Sequence, residues 1–176
     1  MNITEELDRR VEQVNKRLQE ILALFLLGQL SALFAKMLGA RAIDEAYASF
    51  MTYFKREYGT PSDYNEKANR IMKVLFDLKQ DFDNVIDKKG EKQQVIKRAL
   101  ELRTWLIALG FIYTLHAQST IELAIVTKAL YLKWNTMEDP QVCELCEALK
   151  GLYDPYGPLP ERPHPECRCW WTIIYR

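Results

Sequence analysis

The residues most able to do chemistry crowd one end of the chain. Cys143 and Cys146 stand in CELC; His164, Cys167 and Cys169 stand in RPHPECRC. These are all four cysteines and one of the two histidines; His116 is the other. Seventeen residues separate Cys146 from His164. A CxxC turn presents two thiolates to one tetrahedral ion, and a returning His and Cys can complete the shell. Five donors compete for four positions. One assignment takes Cys143, Cys146, His164 and one of the last two cysteines, with HxxC mirroring CxxC. The other takes four cysteines and leaves His164 outside the shell.

Mixed thiolate and imidazole donors favour zinc. Four protein ligands leave no position for water, so such a site is structural rather than catalytic. It could supply on the order of 10 kcal/mol of folding free energy. A proline-rich segment of this size could hardly build a sufficient core alone. Free buried thiols and disulfides are the bland alternatives. No secretory leader is expected from the polar start MNITEELDRR, and a reducing compartment favours metal over disulfides. A redox CxxC would need a βαβ setting that is absent here. His116, in YTLHAQS, reads as a hydrogen-bonded helix residue. Trp170 and Trp171 read as packing residues, not as a platform for bases.

The elements that must position these donors fall into two regions. Residues 1–133 read as an α-helical body and contain only one proline, Pro61. Residues 134–176 read as a Cys/His metal-binding module with short β-strands, and hold the other six prolines. The first helix can be capped by Asn2, with Glu5 completing a capping box. Leu7, Val11, Val14, Leu18, Ile21 and Phe25 then recur at alternating steps of four and three, a heptad-like stripe. Beyond Ile21 nearly every face is apolar, which predicts burial on all sides up to a stop at Gly39. A second helix is expected from Arg41 to Tyr58 on Ile43, Ala46, Phe50 and Phe54, ending at Gly59. Ser62 or Asp63 caps a third, carrying Ile71, Leu75, Leu78, Phe82 and Val85 and stopping at Gly90. A fourth starts near Glu91 on Val95, Ala99, Leu102, Leu106 and Leu109. It can bend at Gly110 and continues to about Leu132. Short connections favour a bundle of antiparallel neighbours.

In the tail, KWNT and CWWTIIYR read as strands. Alternation puts Cys167, Cys169, Trp171, Ile173 and Tyr175 on one face, and Arg168, Trp170, Thr172 and Ile174 on the other. The fold class expected is therefore mainly α: a helical bundle with a long N-terminal helix and a small zinc-stapled β module.

Charge removes several function classes. Basic and acidic residues are equal in number, and the tail from Trp134 carries four basic against seven acidic residues. A net −3 there argues against a nucleic-acid finger, so nucleic-acid contact is not indicated. No Ser–His–Asp set, phosphate loop or open metal site appears, so no enzyme is expected. Gln29, Ser31 and Lys36 interrupt the most apolar run, Ile21 to Leu38, before a bilayer-spanning length, so no membrane association is expected.

The tail resembles the C-terminal signature of the phage Mu F-like minor head protein family. The matching positions are Trp134, Thr136, Asp139, Cys143, Cys146, Gly151, Pro163, His164, Pro165, Cys167, Arg168 and Cys169. They cover about a quarter of the chain, and HPxCRC following CxxC is an uncommon combination. The resemblance implies a virion component, present in few copies and associated with the portal and capsid interior. It implies partners in the portal or major capsid protein, and a location in the head near the portal after assembly in host cytoplasm. Some family members are linked to DNA packaging or ejection. The chain is short for the family, and its N-terminal helices carry no family signature. No effector domain is expected beyond Arg176. Self-association through the N-terminal helices is a further expectation. The rival readings are a cellular helical adaptor with a zinc knuckle and a zinc-dependent nuclease.

Overall fold

The computed structural model describes residues 3–59, 69–87, 93–137, 142–164 and 166–175, with side chains from residue 73 in the third helix and from residue 102 in the fourth, residue 74 excepted. The expected caps at Asn2 and at Ser62 or Asp63, the stop at Gly90, and the signature positions Asp139 and Pro165 lie outside the described residues. So do the side chains of Ile71, Val95 and Ala99.

The chain is mainly helical, with a small antiparallel sheet at its C-terminal end. Four helices, α1 (Ile3–Leu26), α2 (Ala32–Tyr58), α3 (Asn69–Asp87) and α4 (Gln93–Val126), form the body. Each packs on two neighbours: α1 and α3 both touch α2 and α4, closing a four-helix bundle. Lys36–Asp87 and Asp44–Lys79 ion pairs run in opposite order along α2 and α3, so these two helices are antiparallel.

The heptad-like stripe of α1 is the core seam. Leu7, Val11, Val14, Leu18, Ile21 and Phe25 are all buried. Ile43, Phe50 and Phe54 of α2 face them in one apolar cluster with Leu75, Leu78, Phe82 and Val85 of α3 and Leu109 of α4.

Two helix boundaries differ from expectation. The first helix does not run to Gly39. Gly28 adopts a left-handed φ of 74°, which ends α1 after Leu26. Ser31, with φ −71° and ψ 159°, then caps α2 by accepting a hydrogen bond from the Phe34 backbone N–H at 3.3 Å. A glycine stop and a serine cap three residues apart outweigh the continuous apolar pattern. Gly39 instead lies inside α2, pressed against the Phe82 ring, where an added Cβ would overlap that ring. It serves close helix packing, and the true stop of α2 is Gly59 at φ 56°.

The apolar run after Ile21 is not buried on all sides either. Leu24, Leu27, Leu33, Phe34 and Met37 are exposed, because the run folds back as a hairpin at the end of the bundle. Leu102 is also exposed rather than core. Among the described residues no helix is long and apolar enough to cross a membrane.

Gly110 does not break α4, which continues to Val126. The expected helix to Leu132 stops earlier. Lys128, at φ 52°, turns the chain into strand β1 (Tyr131–Asn135), two residues ahead of the expected KWNT. A five-residue helix α5 (Glu144–Ala148), strand β2 (Gly151–Tyr153) and strand β3 (Trp170–Ile174) follow. The sheet order is β2-β1-β3, antiparallel throughout, with Trp134 opposite Trp171. α5 and β2 had no counterpart in the sequence pattern, being too short for a periodic signal.

Candidate metal centre

The donors converge from three local structures. Cys143 caps α5, its Sγ accepting from the Cys146 backbone N–H at 3.3 Å. A helix turn thus aims both CxxC sulfurs to one side. His164 opens a turn closed by the Cys167 N–H donating to the His164 carbonyl at 3.1 Å. Cys167 and Cys169 lead into β3, and the expected alternation holds here: both are buried with Trp171, while Arg168 and Trp170 are less so.

His164 Nε2 lies 3.2 Å from Cys143 Sγ and 3.3 Å from Cys146 Sγ; the Cys146 and Cys167 sulfurs are 3.6 Å apart. Ligands at ordinary zinc distances on a tetrahedral ion would sit about 3.5–3.8 Å apart, so the spacing suits a metal of that size. The donors form two overlapping groups: Cys143, Cys146 and His164, and Cys146, Cys167 and Cys169. All five expected donors are therefore brought together, and Cys146 belongs to both groups. The cluster could hold a metal ion.

The buried thiols differ in how readily they ionise. A hydrogen bond from the Cys169 thiol, aided by the nearby Arg162 charge, pulls Cys167 down to about 5. Burial pushes Cys146 up to about 12, and Cys169 is raised as well, chiefly by its bond to Cys167. One thiolate forms readily and its buried neighbours resist. A divalent cation held there would remove that resistance and let the remaining sulfurs ionise.

Two arginines seat the centre on the bundle. Arg162 donates from Nη1 to the Gly110 carbonyl at 3.1 Å and to Thr114 Oγ1 at 2.9 Å, both on α4. Its Nη2 donates to the Cys167 carbonyl, so one guanidinium ties the ligand loop to α4. Arg168 reaches Asp8 on α1 at 3.3 Å, and Asp8 also accepts from the Tyr113 hydroxyl at 2.7 Å. Asp8 is thus an acidic partner of Arg168 from a different element. Sequence reasoning missed Arg162 and Asp8, and placed Glu147 near the site without its partner. Glu147 accepts from Thr136 Oγ1 at 3.1 Å and joins the end of β1 to α5. The only sequence signal for Arg162 was its place in the RPHPECRC run.

Beneath the donors lies a second apolar cluster. Trp134 and Trp171 meet edge to face at 4.7 Å, and Tyr153 stands edge-on to Trp171 at 5.4 Å. Ala117, Ile121 and Ala124 of α4 complete it alongside Cys146 and Cys167. Both tryptophans of this pair are packing residues, joined to the body through α4.

His116 is no part of the centre. It is fully buried in the bundle, with Nε2 3.1 Å from the Tyr58 hydroxyl. Burial pushes its imidazole down to about 4. An unfolded histidine titrates near 6.5, so between about pH 6.5 and 4 the unfolded chain binds one more proton. Stability from this group is complete above pH 6.5 and falls by about 3 kcal/mol as pH drops to 4. His116→Gln should flatten that slope. Urea midpoints of both proteins at pH 7 and pH 5 check it, and equal acid losses in the two would contradict it. Cys167, pulled down to about 5, titrates in the same window, but it is common to both proteins.

No protein-family model, curated protein or solved structure matches the chain.

Proposed function

We propose that the chain is a minor head protein of a tailed virus, of the phage Mu F-like kind, carrying one structural zinc ion. It acts in head assembly near the portal, with a part in DNA packaging or ejection. The observation that carries this reading is the fate of the signature residues. Trp134, Thr136, Cys143, Cys146, His164, Cys167, Arg168 and Cys169 each take a distinct role in building one donor cluster or fixing it to the helical body. A motif matched by chance would not be expected to fall together this way.

Zinc fits the mixed sulfur and nitrogen donors and their spacing. With five protein donors at hand, no coordination position is left for a reacting water, which favours a structural ion over a hydrolytic one. The rigid module then serves as a docking element for the portal or the major capsid protein.

The test is mass spectrometry of gradient-purified heads from a virus that encodes the chain, alongside elemental analysis of the isolated protein. A copy number far below that of the major capsid protein, and one zinc per chain, are the expected results. Absence from heads would overturn the virion reading. A cellular adaptor would instead be encoded away from portal and terminase genes.

A further inference from the structure

The hairpin end of the bundle exposes an apolar surface that no described part of the chain covers. Leu27, Leu33, Phe34 and Met37 are 58–72% exposed, and Leu24 is 39% exposed. Leu24 and Leu27 lie at the end of α1 and in the turn after it; the other three lie in the first two turns of α2. Spacings of three and four put each set on one helix face. Leu26 and Leu30 are partly buried beside them. From Ile21 to Ala35 the chain carries no charged residue at all.

We infer that this surface is the contact of a symmetric homodimer. The inference rests on the fold and is independent of the head-protein reading. Two observations select a second copy as the occupant. First, a twofold interface sets a patch against itself, so any charge in it would confront its own like near the axis. The patch comes close to that condition: Ile21 to Ala35 carry no charge, and Lys36, between Phe34 and Met37, is paired with Asp87 at 2.7 Å, which leaves a basic or acidic partner little to bind. Second, the five side chains offer on the order of 500 Å² per copy, about 1,000 Å² in a symmetric pair, which reaches the lower bound for a specific interface. Leu26 and Leu30 would add to it. Helix hairpins meeting tip to tip would leave both metal modules free.

The test is sedimentation of the full-length, metal-loaded chain over a range from about 1 to 100 μM, compared with a Leu33→Glu/Phe34→Glu variant. Position 34 is the third residue after the Ser31 cap, so a glutamate there would complete a capping box, and acids in the first turn suit the helix dipole. The variant should therefore keep its fold, as circular dichroism would show. The expected result is a dimer whose dissociation constant rises at least about 100-fold in the variant, since buried carboxylates would meet across the axis. A Met37→Gln variant should weaken it about tenfold with less risk to the helix. A monomeric wild type across the range overturns the inference, as does a dimer unaffected by either change. Binding of the monomer to uncharged lipid vesicles, with no dimer, would also overturn it and assign the patch to a lipid surface.

Discussion

Cys146→Ser is expected to cost the protein its metal and, with it, the order of residues 142–175. Cys146 is the one donor shared by both groups in the cluster. Without it Cys143 and His164 remain on one side, Cys167 and Cys169 on the other, with no sulfur joining them. Metal binding of this kind is worth on the order of 10 kcal/mol of folding free energy, so its loss exceeds what a marginally stable domain can absorb. Cys143→Ser and Cys169→Ser should be milder, because each leaves Cys146 in place with three other donors. Elemental analysis after gel filtration, with limited proteolysis of the tail, separates the three variants. The expectation is about one metal per chain in the wild type, almost none in Cys146→Ser, and partial retention in the other two. Equal loss in all three would mean a rigid four-donor site with no exchangeable fifth. Full retention in Cys146→Ser would remove Cys146 from the shell altogether.

The second large effect is expected from Trp171→Ala. The ring is 1% exposed and packs edge-on against both Trp134 and Tyr153. It also stands opposite Trp134 in the strand register, so its loss opens a cavity at the centre of the sheet. Removing a buried aromatic ring typically costs about 3–5 kcal/mol. The denaturant midpoint must be read at fixed, saturating metal, because bound metal shifts apparent stability. Trp171→Phe should recover roughly half of the loss, since it refills part of the volume. A change below about 1 kcal/mol would mean that the metal alone holds the module together and the tryptophan pair is incidental.

These two variants probe the two supports of one structure. Cys143, Cys146, His164, Cys167 and Cys169 gather at one edge, where they could hold a metal ion, and the Trp134–Trp171 pair fills the space between the sheet and α4. Arg162 and Arg168 then fasten the assembly to α4 and α1. Metal loss is thereby coupled to the helical body, since the loop that carries both arginines is the loop that carries three of the donors.

Local pattern was sufficient for much of this. The period of the α1 stripe needs only the geometry of one helix, so Leu7 to Phe25 were legible as core. CxxC and HxxCxC are spacings within single turns, and the strand alternation of Cys167, Cys169 and Trp171 follows from the pleat. The set of five candidate donors, the helix content and the existence of a small β module therefore belonged to the sequence. What tertiary structure decided was everything that depends on a partner distant in the chain. Gly39 looked like a helix stop, and only the Phe82 ring packed against it shows it to be a packing glycine. The segment after Ile21 looked buried on all sides, but the turn at Gly28 and the cap at Ser31 fold it back at the bundle end, where no described element covers it. Arg168 takes Asp8, 160 residues away in the chain, as an acidic partner. That pairing was set by where α1 passes the module, a fact about packing that no local spacing encodes.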